Sequence, residues 1–175
     1  PQRARFPGGE LCIDSDGFFD LAALPARTLV AGSGYVAVEL AGILAALGSK
    51  VTLAIRFDRV LRSFDTMLGD GAMQALRDGG VGIVTGATTA SLARKDGALV
   101  ATLADGRVLP PVDCMLWAAG REPIVEDLGL ENRGNESAVL RAVRDAVTRH
   151  NERMSTRRDA PRDLDRLGDE RQECG

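Results

Sequence analysis

The sequence predicts an α/β fold with a parallel sheet, and three observations carry that prediction. The first is the stretch from Arg27 to Leu47. Arg27-Thr28-Leu29-Val30-Ala31 is apolar and partly β-branched, Gly32-Ser33-Gly34-Tyr35-Val36-Ala37 is a Gly-x-Gly-x-x-Ala turn, and Val36 to Leu47 has helical character up to Gly48. The second is a pair of further β-rich runs, Lys50 to Arg56 and Val81 to Val84. Between them, Thr66 to Asp78 has helical spacing (Met67, Leu68, Met73, Leu76) and ends at Gly79-Gly80. The third is two Asp-Gly pairs, Asp96-Gly97 and Asp105-Gly106, set between alternating runs at 90–94, 99–103 and 107–109, which predict an antiparallel meander. Together they describe a Rossmann-like βαβαβ nucleotide-binding domain with an antiparallel β-meander. Asp113 to Ala119 returns as a last buried strand ending at Gly120-Arg121.

The flanks are read in the same way. Pro1 to Gly9 is an extended lead-in, Glu10 to Gly17 a short extended piece ending in a turn, and Phe18 to Leu24 a brief helical turn stopped by Pro25. Asp58 to Asp65 is a polar loop with apolar anchors. From residue 135 the composition changes: 41 residues hold nine arginines, nine acids and no aromatic, too few large apolar groups to bury much surface. Ser137 to about Met154 is expected to be a helix with Val139, Leu140, Val143 and Val147 as a narrow stripe, and disorder is expected from Ser155 onward. The break in composition raises the expectation that this tail is a shifted reading frame.

Composition narrows the function. At 175 residues and 45% hydrophobic, the chain can form one domain with a sizeable core. A net charge of −3 and the lack of a basic stripe with stacking aromatics argue against nucleic acid. No apolar run reaches membrane-spanning length, so no membrane partner is expected. Cys12, Cys114 and Cys174 are too widely spaced for a disulfide framework or a zinc site. A cytoplasmic, reducing setting and no metal are therefore expected.

Strand, glycine turn and helix in that order are the layout of a dinucleotide pyrophosphate site. Gly32 permits the turn, Gly34 lets backbone approach the phosphates, and Ala37 keeps helix and strand close. The nicotinamide type is read at the end of the second strand. NAD sites commonly carry an Asp or Glu there, whereas this chain has Leu53-Ala54-Ile55-Arg56 with Arg59 and Arg62 following. Arg56 and Arg62 are candidates for a 2′-phosphate, through forked charge-assisted hydrogen bonds. They are otherwise solvated surface arginines, and Asp58 is the rival that would favour NAD. On the residues alone Tyr35 is a packing aromatic, Glu39 is either a paired buried carboxylate or an exposed helix acid, and Cys114 is a buried strand residue rather than a redox thiol.

GSGYVAVELAGILAALGSKVTLAIR, then VLRSFD, then VDCMLWAAGREP, resemble the NADPH-binding domain of glutathione reductase, within the flavoprotein disulfide reductases. PGGELCIDSDGFFDLAALP resembles the way those enzymes enter this domain from their FAD domain. The resemblance implies a lead-in at 1–26, an NADPH-binding domain at 27–134 and a tail at 135–175. It implies cofactor contacts from Gly32, Ser33, Gly34, Tyr35, Val36 and Ala37. Tyr35 would cover the flavin face and Glu39 would sit near the nicotinamide, paired with a lysine of the FAD domain. Arg56 and Arg62 would grip the 2′-phosphate, and Ala119, Gly120 and Arg121 would lie beside the cofactor, Arg121 being alternatively a structural ion-pair partner.

The family's Cys-x-x-x-x-Cys thiols and His–Glu pair have no counterpart here: no cysteines have that spacing, and His150 is the only histidine. Ile124-Val125 also departs from the family's continuation. The expected function is NADPH binding, with hydride delivery to FAD and reduction of glutathione disulfide only in a full-length enzyme, and a monomer as the default. The alternatives are a non-catalytic NAD(P)-binding module and the NADPH domain of another flavoprotein disulfide reductase.

Overall fold

The computed structural model describes residues 1–121, together with Asp145, Ala146 and Arg149, which are helical and exposed. The rest of the expected 137–154 helix, the tail beyond it and the family departure at Ile124-Val125 lie outside the described residues.

Four strands, β1 (Arg27–Ala31), β2 (Lys50–Ala54), β3 (Gly82–Val84) and β6 (Cys114–Trp117), form a parallel sheet of order β3-β2-β1-β6. The register sets Ala31 opposite Ala54 on one side and Trp117 on the other, so β2, β1 and β6 end level. Strand order reverses between β1 and β6. A crevice at the carboxyl ends of such a switch point is where open α/β sheets take ligands. The sheet is covered on both faces, and the β1 sequence shows it. Val30 joins one apolar cluster with Leu53 and Leu116, while Leu29 and Ala31 join the other with Ala54 and Met115. Two-sided burial is why the run reads as almost continuously apolar rather than alternating.

The first face is covered by α2 (Tyr35–Ala46) and α3 (Thr66–Asp78). The α2 helix buries Ala37, Leu40, Ala41 and Leu44, one stripe at helical spacing. It ends where Gly48 was expected to end it: Ser49 N–H donates to Leu44 O and Gly48 N–H to Ala45 O, both at 2.9 Å, a Schellman closure. The α3 helix begins at Asp65, whose side chain accepts from Met67 N–H at 2.9 Å. Its bounds are those expected from the sequence. Full burial of Leu29, Leu44, Leu53 and Leu116 contributes about 1.5–3 kcal/mol each.

The other face is covered by an antiparallel hairpin, β4 (Thr89–Lys95) and β5 (Ala98–Leu103). Asp96 (φ 49°) and Gly97 (φ 81°) are both left-handed, as a two-residue hairpin turn requires. The third run of the expected meander pairs only through isolated bridges, Thr102 with Val108 and Leu99 with Val112. Pro110 and Pro111, which have no N–H to give a ladder, separate the two.

The lead-in differs from expectation. Gly9–Leu11 is a 3-10 turn, and α1 spans Ser15–Phe19 rather than starting at Phe18. The reason is Asp14, whose Oδ1 accepts from the N–H groups of Asp16 and Gly17, both at 3.0 Å, and so caps the helix early. Ile13 is itself paired into the sheet beside β6, with its N–H on Met115 O at 2.9 Å and its carbonyl taking Trp117 N–H at 2.7 Å.

Candidate functional site

The glycine elbow leaves β1 at the carboxyl edge of the sheet. Gly32 stands at φ 145°, and a Cβ there would lie 2.3 Å from the Ala118 carbonyl oxygen and 3.2 Å from Ala37 Cβ. Its N–H donates to Ala54 O at 3.1 Å, and Ala118 N–H donates to Ala31 O at 2.8 Å. The ends of β2, β1 and β6 are thus stitched together at a point with no room for a side chain. The small side chain of Ala37, fully buried, keeps α2 against this point.

Gly34 is different. Its φ of −81° suits any residue, yet a Cβ built on it meets no atom within 4 Å. No side chain caps the helix it begins. The amides of Tyr35, Val36 and Ala37 occupy the first turn, where N–H groups have no intrahelical acceptor. An open cradle that a methyl group would fill, lined by N–H donors at the positive end of a helix, fits a phosphate pair.

The second part of the site is the loop after β2. Ile55 still pairs, through its N–H to Val84 O at 2.9 Å, and Arg56 is the first residue to leave the sheet. Val60 and Leu61 are the buried anchors of this loop. Leu61 has φ 52°, a left-handed conformation that costs a non-glycine residue on the order of 1–3 kcal/mol. What holds it is a hydrogen bond from Leu61 N–H to the Ser33 carbonyl at 2.7 Å, with Phe64 N–H returning to Leu61 O at 2.7 Å. The loop is therefore fastened to the glycine elbow itself.

Arg56 and Arg62 converge in this loop on the Phe57 ring. Their guanidinium carbons lie 4.6 and 3.8 Å from its centroid. Both arginines and Asp58 are exposed. Sequence reading named the two arginines but not Phe57, since nothing in the residue order announces that one ring lies against both cations.

Tyr35 is half-exposed at the start of α2, and Glu39 is exposed one turn further on, so its carboxylate bears no burial cost within the described residues. Ala119, Gly120 and Arg121 follow β6 at the same edge and are exposed. Gly120 stands at φ 154°, a conformation that favours glycine, and its carbonyl accepts from Gln2 N–H of the lead-in at 2.9 Å. That contact was not legible in the sequence.

Neither described cysteine suits thiol chemistry. Burial pushes the Cys12 thiol up to about 12 and the Cys114 thiol up to about 11. Among the described residues no cluster of three or more His, Cys, Asp or Glu is gathered for a metal, and no helix is long and apolar enough to cross a membrane.

The family model described as pyridine nucleotide-disulphide oxidoreductase matches residues 3–158. The glutathione reductase of Schizosaccharomyces pombe is 41% identical over 133 residues, covering 75% of this chain and 28% of that protein. The HOCl-induced flavoprotein disulfide reductase RclA from Escherichia coli has a TM-score of 0.70 and 31% identity, over 77% of this chain and 31% of its own. An engineered water-forming NADPH oxidase bound to NADPH has a TM-score of 0.64 and 26% identity, over 73% of this chain and 30% of its own. The chain thus spans less than a third of the length of each.

The substitutions that define the engineered oxidase begin with a glycine to alanine. An aspartate to alanine, an alanine to arginine, a methionine to serine and a proline to arginine follow 18, 19, 20 and 25 positions later. Counted from Ala37, the same separations in this chain fall on Ile55, Arg56, Phe57 and Arg62. With a family model over most of its length and a close relative at 41% identity, the chain belongs to the pyridine nucleotide-disulphide oxidoreductase family.

Proposed function

We propose that this chain supplies the NADPH-binding domain of a glutathione-disulfide reductase. The observation that carries the reading is the pair Arg56 and Arg62, gathered on one ring at the carboxyl end of β2, where Ile55 stands instead of an acid. Two guanidiniums suit the dianion of a 2′-phosphate and have nothing comparable to grip on a 2′-hydroxyl. The engineered NADPH oxidase supports this, because its substitutions remove an acid and add two arginines at matching separations.

In this reading residues 1–26 are the entry from an FAD domain, 27–134 bind NADPH, and 135–175 are an appended tail. Gly32 makes the turn under the pyrophosphate, and Ser33, Gly34, Tyr35, Val36 and Ala37 seat it through backbone amides. Ala119, Gly120 and Arg121 border the cofactor from the end of β6. Tyr35 and Glu39, one helical turn apart and both exposed, form the nicotinamide side of the site. Bound NADPH supplies a hydride, which in a flavoprotein disulfide reductase goes by way of FAD to a disulfide. The chain's own residues bind and orient the donor. The 175 residues contain no Cys-x-x-x-x-Cys pair and one histidine, so by themselves they bind NADPH without reducing glutathione disulfide.

Calorimetric titration of the 175-residue chain tests this directly. NADPH is expected to bind more tightly than NADH. Arg56→Gln and Arg62→Gln should each weaken NADPH by about 1.5–3 kcal/mol and leave NADH nearly unchanged. Equal losses for both dinucleotides would move the phosphate site elsewhere, and no heat with NADPH would overturn the reading.

A further inference from the structure

We infer that Phe57 is a positioning residue for the adenosine 2′-phosphate: its ring gathers the Arg56 and Arg62 guanidiniums before a dinucleotide arrives and thereby sharpens the preference for the phosphorylated cofactor. The inference rests on the assignment of those two arginines proposed above.

The argument starts from two distances. One ring has two guanidinium carbons within 4.6 and 3.8 Å of its centroid. The two cations therefore lie no further apart than the sum of those distances, close enough to bracket one phosphoryl group. Like charges at such a separation repel, and long exposed side chains have many alternative rotamers. The negative face of the ring attracts each guanidinium and opposes both tendencies. Ordering done in the free protein need not be done on binding, and that gain goes to the ligand that uses both cations. A dinucleotide with a bare 2′-hydroxyl does not use them. The gain is thus selective for NADPH.

The backbone that carries the ring is held in place. It lies between Arg56, where the chain leaves the sheet, and Val60-Leu61, whose burial and bond to Ser33 O fix the loop. A purely structural role explains Phe57 poorly, because it is 38% exposed and belongs to neither buried cluster. Its one backbone bond, Gly86 N–H to Phe57 O at 3.5 Å, survives any substitution other than through a backbone shift. The engineered oxidase has serine at the matching separation, so an arginine pair can serve without a ring. Loss of the ring should therefore be graded, not complete.

The test is calorimetric titration of the 175-residue chain and of Phe57→Leu and Phe57→Tyr with NADPH, NADH and 2′,5′-ADP. Phe57→Leu should weaken NADPH and 2′,5′-ADP about five- to ten-fold and NADH by less than about two-fold. Phe57→Tyr, which keeps the ring face, should stay within about two-fold of the parent for all three. Should Phe57→Leu melt early, Phe57→Met removes the ring while retaining bulk, with the same expected pattern. An unchanged NADPH affinity in the Leu or Met variant, or equal losses for NADPH and NADH, overturns the role of the ring. If the parent still prefers NADPH in that case, the arginine assignment stands. A parent without that preference overturns the assignment and the inference together.

Discussion

An alanine at Gly32 would press its methyl group to 2.3 Å from the Ala118 carbonyl in a backbone conformation side chains rarely adopt, whereas an alanine at Gly34 would meet nothing. The two substitutions should therefore fail differently. Gly32→Ala is expected to destabilise the fold by about 2–4 kcal/mol, seen as an early thermal transition. Gly34→Ala should melt with the parent and lose most of its NADPH binding by calorimetry, because its methyl occupies the cradle. An unchanged affinity would show that the cradle is not used. The cysteines give a second residue-scale prediction. With thiols pushed up to about 12 and about 11 by burial, Cys12 and Cys114 stay protonated through pH 8, on the order of three units below those values. In a Cys174→Ser chain, Ellman's reagent should find no fast thiol until denaturant is added. Cys114 is buried and Cys12 part-buried, and rapid reaction of both in the native state would contradict that placement.

Elements were legible where local chemistry and packing agree. The bounds of β1 and α3 and the closure of α2 at Gly48 follow from apolar spacing and glycine stops written in the residue order, while the Asp65 cap that starts α3 emerged only in the structure. The early start of α1 was hidden because Asp14-Ser15-Asp16-Gly17 reads as a turn until the cap on Asp14 is seen. The third meander run does pair antiparallel with β5, Val108 opposite Thr102, but its pairing is short, and the alternation up to Leu109 does not show how the two following prolines interrupt the ladder. Joining β1 to β6 is an ion pair that sequence could not assign across 86 residues. The Arg27 guanidinium donates to Asp113 at 2.6 and 3.2 Å, and Arg27 N–H donates to the same carboxylate at 2.9 Å. These hydrogen bonds hold the Asp113 carboxyl below the usual carboxylate range. A depressed folded-state value means that the contribution is present at neutral pH and is lost as pH falls below about 4 toward that value. The melting temperature of the parent should therefore drop more steeply on acidification than that of Asp113→Asn. Parallel curves would mean that the pair adds nothing, as exposed pairs often do.

Across the whole described unit, every candidate residue found from sequence lies at one edge of the sheet, after β1, β2 or β6 or at the start of α2. This convergence was readable in advance because parallel α/β sheets put ligands at their carboxyl ends. The bracing between the parts was not readable, since it depends on the left-handed turn at Leu61 and its bond to Ser33. Trp117, the only tryptophan, ends β6 one residue before Ala118 and is a natural reporter for this edge. Its fluorescence should be quenched on NADPH addition, with the same midpoint as calorimetry. At the level of turnover, NADPH, FAD and glutathione disulfide mixed with the 175 residues should show no NADPH oxidation by nicotinamide absorbance. Brisk oxidation would refute the proposal that these residues only bind.

The Ser33 to Leu61 hydrogen bond also gives the segment from Arg56 to Arg62 an indivisible character. A transplant of foreign sequence into this stretch must bring a residue able to stand left-handed at its sixth place, or the elbow loses its brace along with the graft. On the proposed reading, the two arginines and the brace belong to one seven-residue segment, and exchanging single charges within it leaves the bond from Leu61 to Ser33 untouched.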